Sequence, residues 1–334
     1  MPTKNVAKII LVVVILVFLT AISTLACVLT QPKYLANTAL FFLNKGSSGL
    51  VFKEITIEKV HWYAWDRVSL TQLRIQCQIK GVSYLVSTEV VETRYFKEGP
   101  DGSWFVRIKG LDVVSDQLKL LHADAQIKTR FESLRYLNSQ ITLSASVIDW
   151  NRYIIRDIVA QMDYQKGFLV LINGQGNLYG GSMLFRGAAI DHKDLSYYLN
   201  IQLKGIDSAI IAEGRPVFEQ LTAVVDGDMN MKNLRNQGLL VEAHLAAPAG
   251  GSMKASLLRY LAQYVPQRKQ VEDLIRKDAD VTLSKAQARI ISITPEKISS
   301  EIILNTSSLN LNLDVKFDIN VEGGISGLMG YLHQ

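Results

Sequence analysis

The stretch Leu309–Val321, LNLNLDVKFDINV, alternates apolar and polar residues through thirteen positions without a fault. In an extended chain Leu309, Leu311, Leu313, Val315, Phe317, Ile319 and Val321 leave one face, because successive side chains of a strand point to opposite sides. Asn310, Asn312, Asp314, Lys316, Asp318 and Asn320 leave the other. A strand with one greasy and one wet face is the signature of an antiparallel sheet. Thirteen residues at about 3.3 Å each would run roughly 43 Å, long for a globular strand. Shorter alternations cover Phe52–Val60, Val68–Ile79, Ser139–Val147, Ser196–Leu203 and Leu221–Met231. Tight-turn residues separate several of them, as in Glu98-Gly99-Pro100-Asp101-Gly102. No regular exchange of strand and helix is seen, which disfavours a parallel α/β sheet.

Helical patterns are few. Pro32–Asn44 reads as a short helix. Asp207 reads as an N-cap for Ser208–Glu213, closed by Gly214. A larger insert is expected over residues 252–277, with Ser252 as its cap. Leu257, Leu258, Leu261 and Val265 form one apolar stripe there, and Val271, Leu274 and Ile275 continue it. Its polar side carries Arg268, Lys269, Arg276 and Lys277, candidate contacts to an anionic membrane surface. The alternative is a helical pair packed on one edge of the sheet.

Ile9–Leu29 is twenty-one residues without a charge. At about 1.5 Å per residue it spans roughly 30 Å, the thickness of a bilayer core. It is longer than the apolar region of most cleaved signal peptides, so an uncleaved anchor is expected. A lipoprotein signal ending at Cys27 is the rival, although Leu25 is one place out of register for it. Lys4 and Lys8 ahead of the span put residues 1–8 in the cytoplasm as a short tail. The body, residues 30–334, is then extracytoplasmic.

Gly174, Gly176 and Gly180 in LINGQGNLYGGSMLFRGAAID approach a dinucleotide-binding loop. Such a loop needs a helix after it, whose free N–H groups hold the phosphate. The next segment, Ser182–Gly187, is strand-like instead, so the glycines are expected to turn a hairpin. The tetrapeptide Gly-Gly-Ser-Met recurs at 180–183 and 250–253, with a strand expected after the first and a helix after the second. Four shared residues alone read as coincidence.

Signals for chemistry are sparse. The 334 residues carry a net charge of only +5, with both signs interspersed, which gives no support for nucleic-acid binding. The histidines at 61, 122, 192, 244 and 333 lack the spacings of a metal site. Asp226-Gly227-Asp228-Met229-Asn230 resembles the start of a calcium loop, but Met231 stands where glycine is needed and Gln237 where glutamate is needed. A turn or strand end with solvated aspartates fits better. No G-x-S-x-G elbow occurs. Cys77, in a strand-like alternation, reads as a buried apolar residue that cannot bridge to Cys27. No catalytic, cofactor or metal residue is assigned.

The phrases NLYGGSMLFRGAAI, YYLNIQLKGIDSAIIA and QLTAVVDGDMNM together resemble the AsmA-like group of bacterial envelope proteins, which includes AsmA, TamB, YhdP and YdbH. Leu178-Tyr179-Gly180-Gly181 matches the turn joining two strands in that group, and Gly205-Ile206-Asp207 the start of a short helix; Gly227-Asp228 match loosely. The anchor and ITIEKVHWYAWDRVSLTQLRI resemble the beginning of such proteins. The matched region is Phe168–Met231. This chain is short for the group. The lack of any clustered His, Cys or acid motif favours a non-enzymatic protein, and the resemblance implies a single-span inner-membrane protein with its body in the periplasm, binding lipid or assisting lipid transport or envelope assembly. Phospholipid and other envelope proteins are the implied partners. The small, anchored type II secretion protein N supplies one alternative, and an envelope enzyme with an unrecognised site another.

The expected fold is mostly β with a few helices: a transmembrane helix, then an elongated, curled antiparallel sheet forming a groove or open barrel, with the helical insert. Leu309, Leu311, Leu313, Val315, Phe317, Ile319 and Val321 are the candidate lining of the groove. A packed sandwich would read as the same alternation.

Overall fold

A computed structural model describes residues 31–46, 50–64, 66–79, 81–97, 102–116, 118–133, 136–150, 153–165, 167–191, 196–212, 221–234, 238–256, 268–306 and 311–320. Over these residues the chain is mostly β, its strands pairing antiparallel, with three short helices. Among the described residues no helix is long and apolar enough to cross a membrane. The run Ile9–Leu29 lies outside them. The chain divides into two compact units, Met1–Gly176 with Ala189–Leu195, and Asn177–Ala188 with Ser196–Gln334.

The first unit contains helix α1 (Pro32–Gly46), then β1 (Leu50–Thr56), β2 (Lys59–Ala64), β3 (Arg67–Ile79), β4 (Val82–Phe96) and β5 (Ser103–Val114). It continues through β6 (Leu118–Ser133), β7 (Tyr136–Trp150), β8 (Tyr153–Gln165) and most of β9 (Phe168–Leu178). From β3 to β8 each strand pairs with the next. The single strand expected over Phe52–Val60 is broken in two. β1 lies along Arg74–Ile79 of β3 and β2 along Arg67–Thr71 of the same strand. The break, at Ile57 and Glu58, faces Gln72, whose φ of 51° takes it out of the ladder.

One face of this sheet is sealed. Val91, Ile108, Leu111 and Ala123 are completely buried, and Cys77 with them. α1 adds Leu35, Ala36, Ala39 and Leu43 to the same core. Asn44 fastens the helix to β1: its Nδ2 donates to the Phe52 carbonyl (2.9 Å), and its Oδ1 accepts the Phe52 N–H (2.8 Å).

A line of bulges crosses the unit. Gln72, Gly110, His122 and Asp157 have φ of 51°, 59°, 50° and 51°. The strand registers place them, with Glu89 and Ser146, in one transverse row from β3 to β8. Two aspartates satisfy the N–H groups that the row takes out of the ladder. Asp124 Oδ1 accepts the Gly110 N–H (3.0 Å), and Asp112 Oδ1 accepts the His122 N–H (2.7 Å). Each carboxylate sits two residues beyond one bulge and caps the bulge on the neighbouring strand. Bulges bend a strand and increase its twist, so an aligned row creases the sheet along one line.

The second unit contains most of β10 (Gly181–Asp191), then β11 (Tyr197–Asp207), α2 (Ser208–Ala212), β12 (Leu221–Leu234), β13 (Gly238–Ala247) and β14 (Gly251–Lys254). After these come α3 (Arg268–Lys277), β15 (Asp280–Thr294), β16 (Lys297–Thr306) and β17 (Leu311–Asn320). Asp207 caps α2 as expected, its Oδ1 accepting the Ala209 N–H at 2.9 Å. β13 and β14 run in the same direction between β12 and β15, forming one strand interrupted at Pro248–Gly250.

That interruption corrects the expected helical insert. Ser252 does not cap a helix; it pairs with Thr222 on one side and Thr282 on the other. Burial of Met253 between the two neighbours holds this segment extended. Within the expected insert, the helix that is described runs over Arg268–Lys277, and the stripe Leu257, Leu258, Leu261, Val265 lies outside the described residues.

The glycines of residues 174–181 belong to strands and a turn. Tyr179 and Gly180, with φ of 46° and 77°, join β9 to β10 as a two-residue turn of the hairpin type. A strand and not a helix comes next, which removes the phosphate-loop reading. The second Gly-Gly-Ser-Met is built like the first. Gly250 has φ of 75°, it leads into a strand rather than a helix, and Met253 is buried as Met183 is. The match is a repeated structural device.

Candidate functional site

The strands of the second unit carry the same alternation as Leu309–Val321, and their registers stack it into rows. Leu203, Gly227, Leu245, Ala288, Ile302 and Val315 lie side by side across β11, β12, β13, β15, β16 and β17. The next row is Ile201, Met229, Ala243, Ile290, Ser300 and Phe317. Beyond it, Leu199 pairs with Met231 and Met231 with Val241. On the other side Ala247 faces Ala286, which faces Leu304, which faces Leu313. Paired residues share a face, so these rows make one apolar floor without a charge. Six strands at about 4.8 Å spacing give it roughly 24 Å of width, and four rows about 6.7 Å apart give roughly 20 Å of length.

Burial separates this floor from the interior of the first unit. Ile201, Ala243, Ala247 and Ile298 are buried. Leu199, Leu203, Met229, Met231, Val241, Leu245, Ala288, Ile290 and Ile302 keep part of their surface exposed. Leu239 and Ile298 gather Tyr197, Met231, Val241 and Ile290 at one end. At the other end Met253, Val271, Val281 and Leu283 are sealed at 1–3% exposure. Between these ends Ile201, Ala243 and Ser300 are buried, while Leu203, Met229, Leu245, Ala288, Ile290 and Ile302 are partly exposed.

The opposite face carries a row of polar and charged residues, Gln202, Asp228, His244, Arg289, Glu301 and Lys316, in register. Arg186 Nη2 extends it, donating to Gln202 Oε1 at 2.6 Å. A shallow cavity of about 560 Å³ lies over this row. Its charges are largely matched within the sheet. Lys316 bonds Glu301 at 2.7 Å and its pKa is raised by that bond; Lys297 bonds Asp318 at 2.8 Å and holds the carboxylate below its ordinary pKa. His244 Nε2 is 3.2 Å from Glu242 Oε1. Asp226 Oδ1 accepts the N–H of Gly205, a bulge residue with φ of 68°. The calcium-loop resemblance therefore falls neither on a turn nor on a strand end but inside β12, where Asp226 closes a bulge in β11. Among the described residues no group of three metal-ligating side chains forms.

Of the expected lining residues, Leu309 and Val321 lie outside the described residues. Leu311, Leu313, Val315, Phe317 and Ile319 are on β17, in register with Thr306, Leu304, Ile302, Ser300 and Ile298. The intervening Asp314, Lys316, Asp318 and Asn320 are exposed. The basic residues Arg268, Lys269, Arg276 and Lys277 are on α3, whose Val271 is buried. Lys269, Arg276 and Lys277 are exposed, but Glu272 and Asp273 are exposed beside them, and Arg276 is paired with Asp273 at 2.7 Å. The sequence reading missed the contribution of β11 to β16 to the floor. Its signal was present in strands such as LLVEAHLAA, where small alanines weaken the contrast of the alternation. No family model, curated protein or solved structure matches the chain.

Proposed function

We propose that the second unit holds the hydrocarbon part of a lipid on its apolar floor, and that the chain is a non-enzymatic envelope protein of the AsmA-like kind. Residues 9–29 anchor it in the bacterial inner membrane, with the body in the periplasm. The observation that carries this reading is the contrast between two apolar faces in one chain. The face of the first unit is buried through β3 to β6, where Val68, Ile75, Val86, Val91, Ile108, Leu111 and Ile127 are at 0–1% exposure. The floor of the second is apolar over six strands yet keeps Leu203, Leu245, Ile290 and Ile302 partly exposed. Each methylene moved from water onto such a surface contributes at most about 0.8 kcal/mol, the value for full burial. The floor, roughly 20 Å along the strands, is longer than the roughly 15 Å depth of one leaflet's hydrocarbon. It carries no charge to recognise a headgroup, so the reading is for acyl chains and not for one lipid species.

The test is mass spectrometry of lipids that co-purify with the chain in a mild detergent, followed by displacement with a fluorescent fatty-acid probe. Stoichiometric phospholipid, displaced by the probe, is expected. A chain free of lipid that also fails to bind the probe would leave an assembly component, like the type II secretion protein N, as the better account.

A further inference from the structure

We infer that helix α1 lies on the phospholipid bilayer itself, its outward face seated among the headgroups. α1 is two-sided. Leu35, Ala36, Ala39 and Leu43 enter the core of the first unit, at 4%, 5%, 5% and 9% exposure. On the opposite side Tyr34, Thr38 and Phe41 fall in one line, at the i, i+4, i+7 spacing of a helix face. Tyr34 is 61% exposed and Phe41 64%, and Phe42, on the flank of that line, is 51% exposed. The side of a helix turned away from its own core ordinarily bears charged or polar residues. This one bears three large aromatic side chains, and the helix PKYLANTALFFLNKG has lysines but no acid.

The place of α1 in the chain names what covers that face. The bilayer-length run ends at Leu29, and α1 begins at Pro32. Three residues reach at most about 10 Å even when extended. The headgroup layer on each side of the hydrocarbon is about 5–7 Å deep. Tyr34 is therefore held within or beside that layer, where aromatic rings and lysines concentrate in membrane proteins. α1 cannot swing freely out of it, because the paired bonds of Asn44 to Phe52 fix it to β1. The helix couples the anchor to the sheet and presses the β1 edge of the first unit against the membrane. The inference rests on residues 9–29 being an anchor.

The test uses the full chain with Cys27→Ala, leaving Cys77, which is buried, in place. Single cysteines are introduced by Tyr34→Cys, Phe41→Cys or, as a control on the exposed face of β6, Gln126→Cys, and each is labelled with an environment-sensitive fluorophore. The proteins are reconstituted in phosphatidylcholine–phosphatidylglycerol vesicles. Flotation reads the anchor; quenching by nitroxide-bearing lipids, against quenching by aqueous iodide, reads the helix. The expected result is flotation of all three, with the labels at 34 and 41 losing more than half their emission to lipid nitroxide and the label at 126 losing it to iodide. Flotation with position 41 quenched only by iodide leaves the anchor standing and overturns the inference. Flotation with position 41 shielded from both quenchers means that protein covers the face, and also overturns it. A chain that does not float removes anchor and inference together. Melting curves of the labelled proteins that match the parent confirm that exposed positions were probed on a folded body.

Discussion

Gly181 has no room for a methyl group. A Cβ there would run into the backbone oxygens of Lys204 and Gly205, whereas one at Gly187, on the same strand, would meet nothing within 4 Å. Gly181→Ala should therefore cost about 1–3 kcal/mol through a forced shift of backbone. Gly187→Ala should be neutral or stabilising by up to about 1 kcal/mol, since alanine loses less chain entropy in a strand. Denaturant midpoints of the two variants, measured side by side, check the pair. The sequence showed that glycines turn a hairpin here. It did not show which glycine is irreplaceable, because that depends on how closely β11 approaches. Cys77 is the second residue with a measurable consequence. Its reading as a buried apolar residue holds, and burial pushes the thiol from 9.0 up to about 11. A folded-state pKa raised in this way contributes stability that is complete below pH 9 and is lost as pH rises toward 11. Two pH units correspond to about 2.7 kcal/mol at most. The stability difference between the parent and Cys77→Ala should shrink by roughly that amount between pH 8 and pH 11. Tyr84, raised by burial first and by Cys77 second, adds to the alkaline loss in both proteins, and the part of its shift owed to Cys77 leaves with the thiol, so the difference between the curves reports Cys77 together with that coupling. An unchanged difference in urea unfolding would refute the burial effect.

The crease across β3 to β8 is the element on which the shape of the first sheet depends. Asp112 and Asp124 cap each other's bulges through the Gly110 and His122 N–H groups. Removing either carboxylate leaves to water an N–H that no ladder partner can reach, and because both bonds are exposed the loss is about 0.5–1.5 kcal/mol. Asp112→Ala and Asp124→Ala should each destabilise by that amount, while Asp112→Asn, which keeps an acceptor oxygen, should recover most of it. A double-mutant cycle with coupling near zero would show that the two caps act independently; the shared crease leads us to expect coupling above about 0.5 kcal/mol. The crease was legible in the sequence as a slip of phase. Buried and partly buried apolar residues step by two along β3, β5, β6 and β8 and then by three at the bulge, at Leu70–Leu73, Ile108–Leu111, Leu120–Ala123 and Ile155–Ile158. Strict period-two reading passes over such a slip. The misplaced helix at Ser252 has the opposite origin. Helical spacing downstream was extended back through Gly-Gly-Ser-Met, although two neighbouring strands hold that segment extended.

At the scale of the molecule, alternation disclosed the class of fold and which side chains share a face. It could not disclose whether an apolar face is sealed or open, since the strands of both units read alike. That difference lies in what packs over each face, a property of distant segments. On the proposed function it yields a test: Leu245→Asp puts a charge within the apolar floor. Recovered lipid should fall several-fold with little change in melting temperature, because the residue is partly exposed and its charge keeps contact with water. In the sealed unit, Ile108→Asp should unfold the chain. A Leu245→Asp variant that keeps its full complement of lipid would show that the floor is not the binding surface. The pairing scheme also bears on how the chain is made. From β3 to β8, and again from β15 to β17, every ladder joins strands that are adjacent in sequence. Sheets are usually slow to form because distant segments must find one another before any contact rewards the closure. Here each hairpin can close on the strand made just before it. Each of these runs can therefore zip up in order as the chain is made, and the growing edge stays open to other chains only until the next strand covers it.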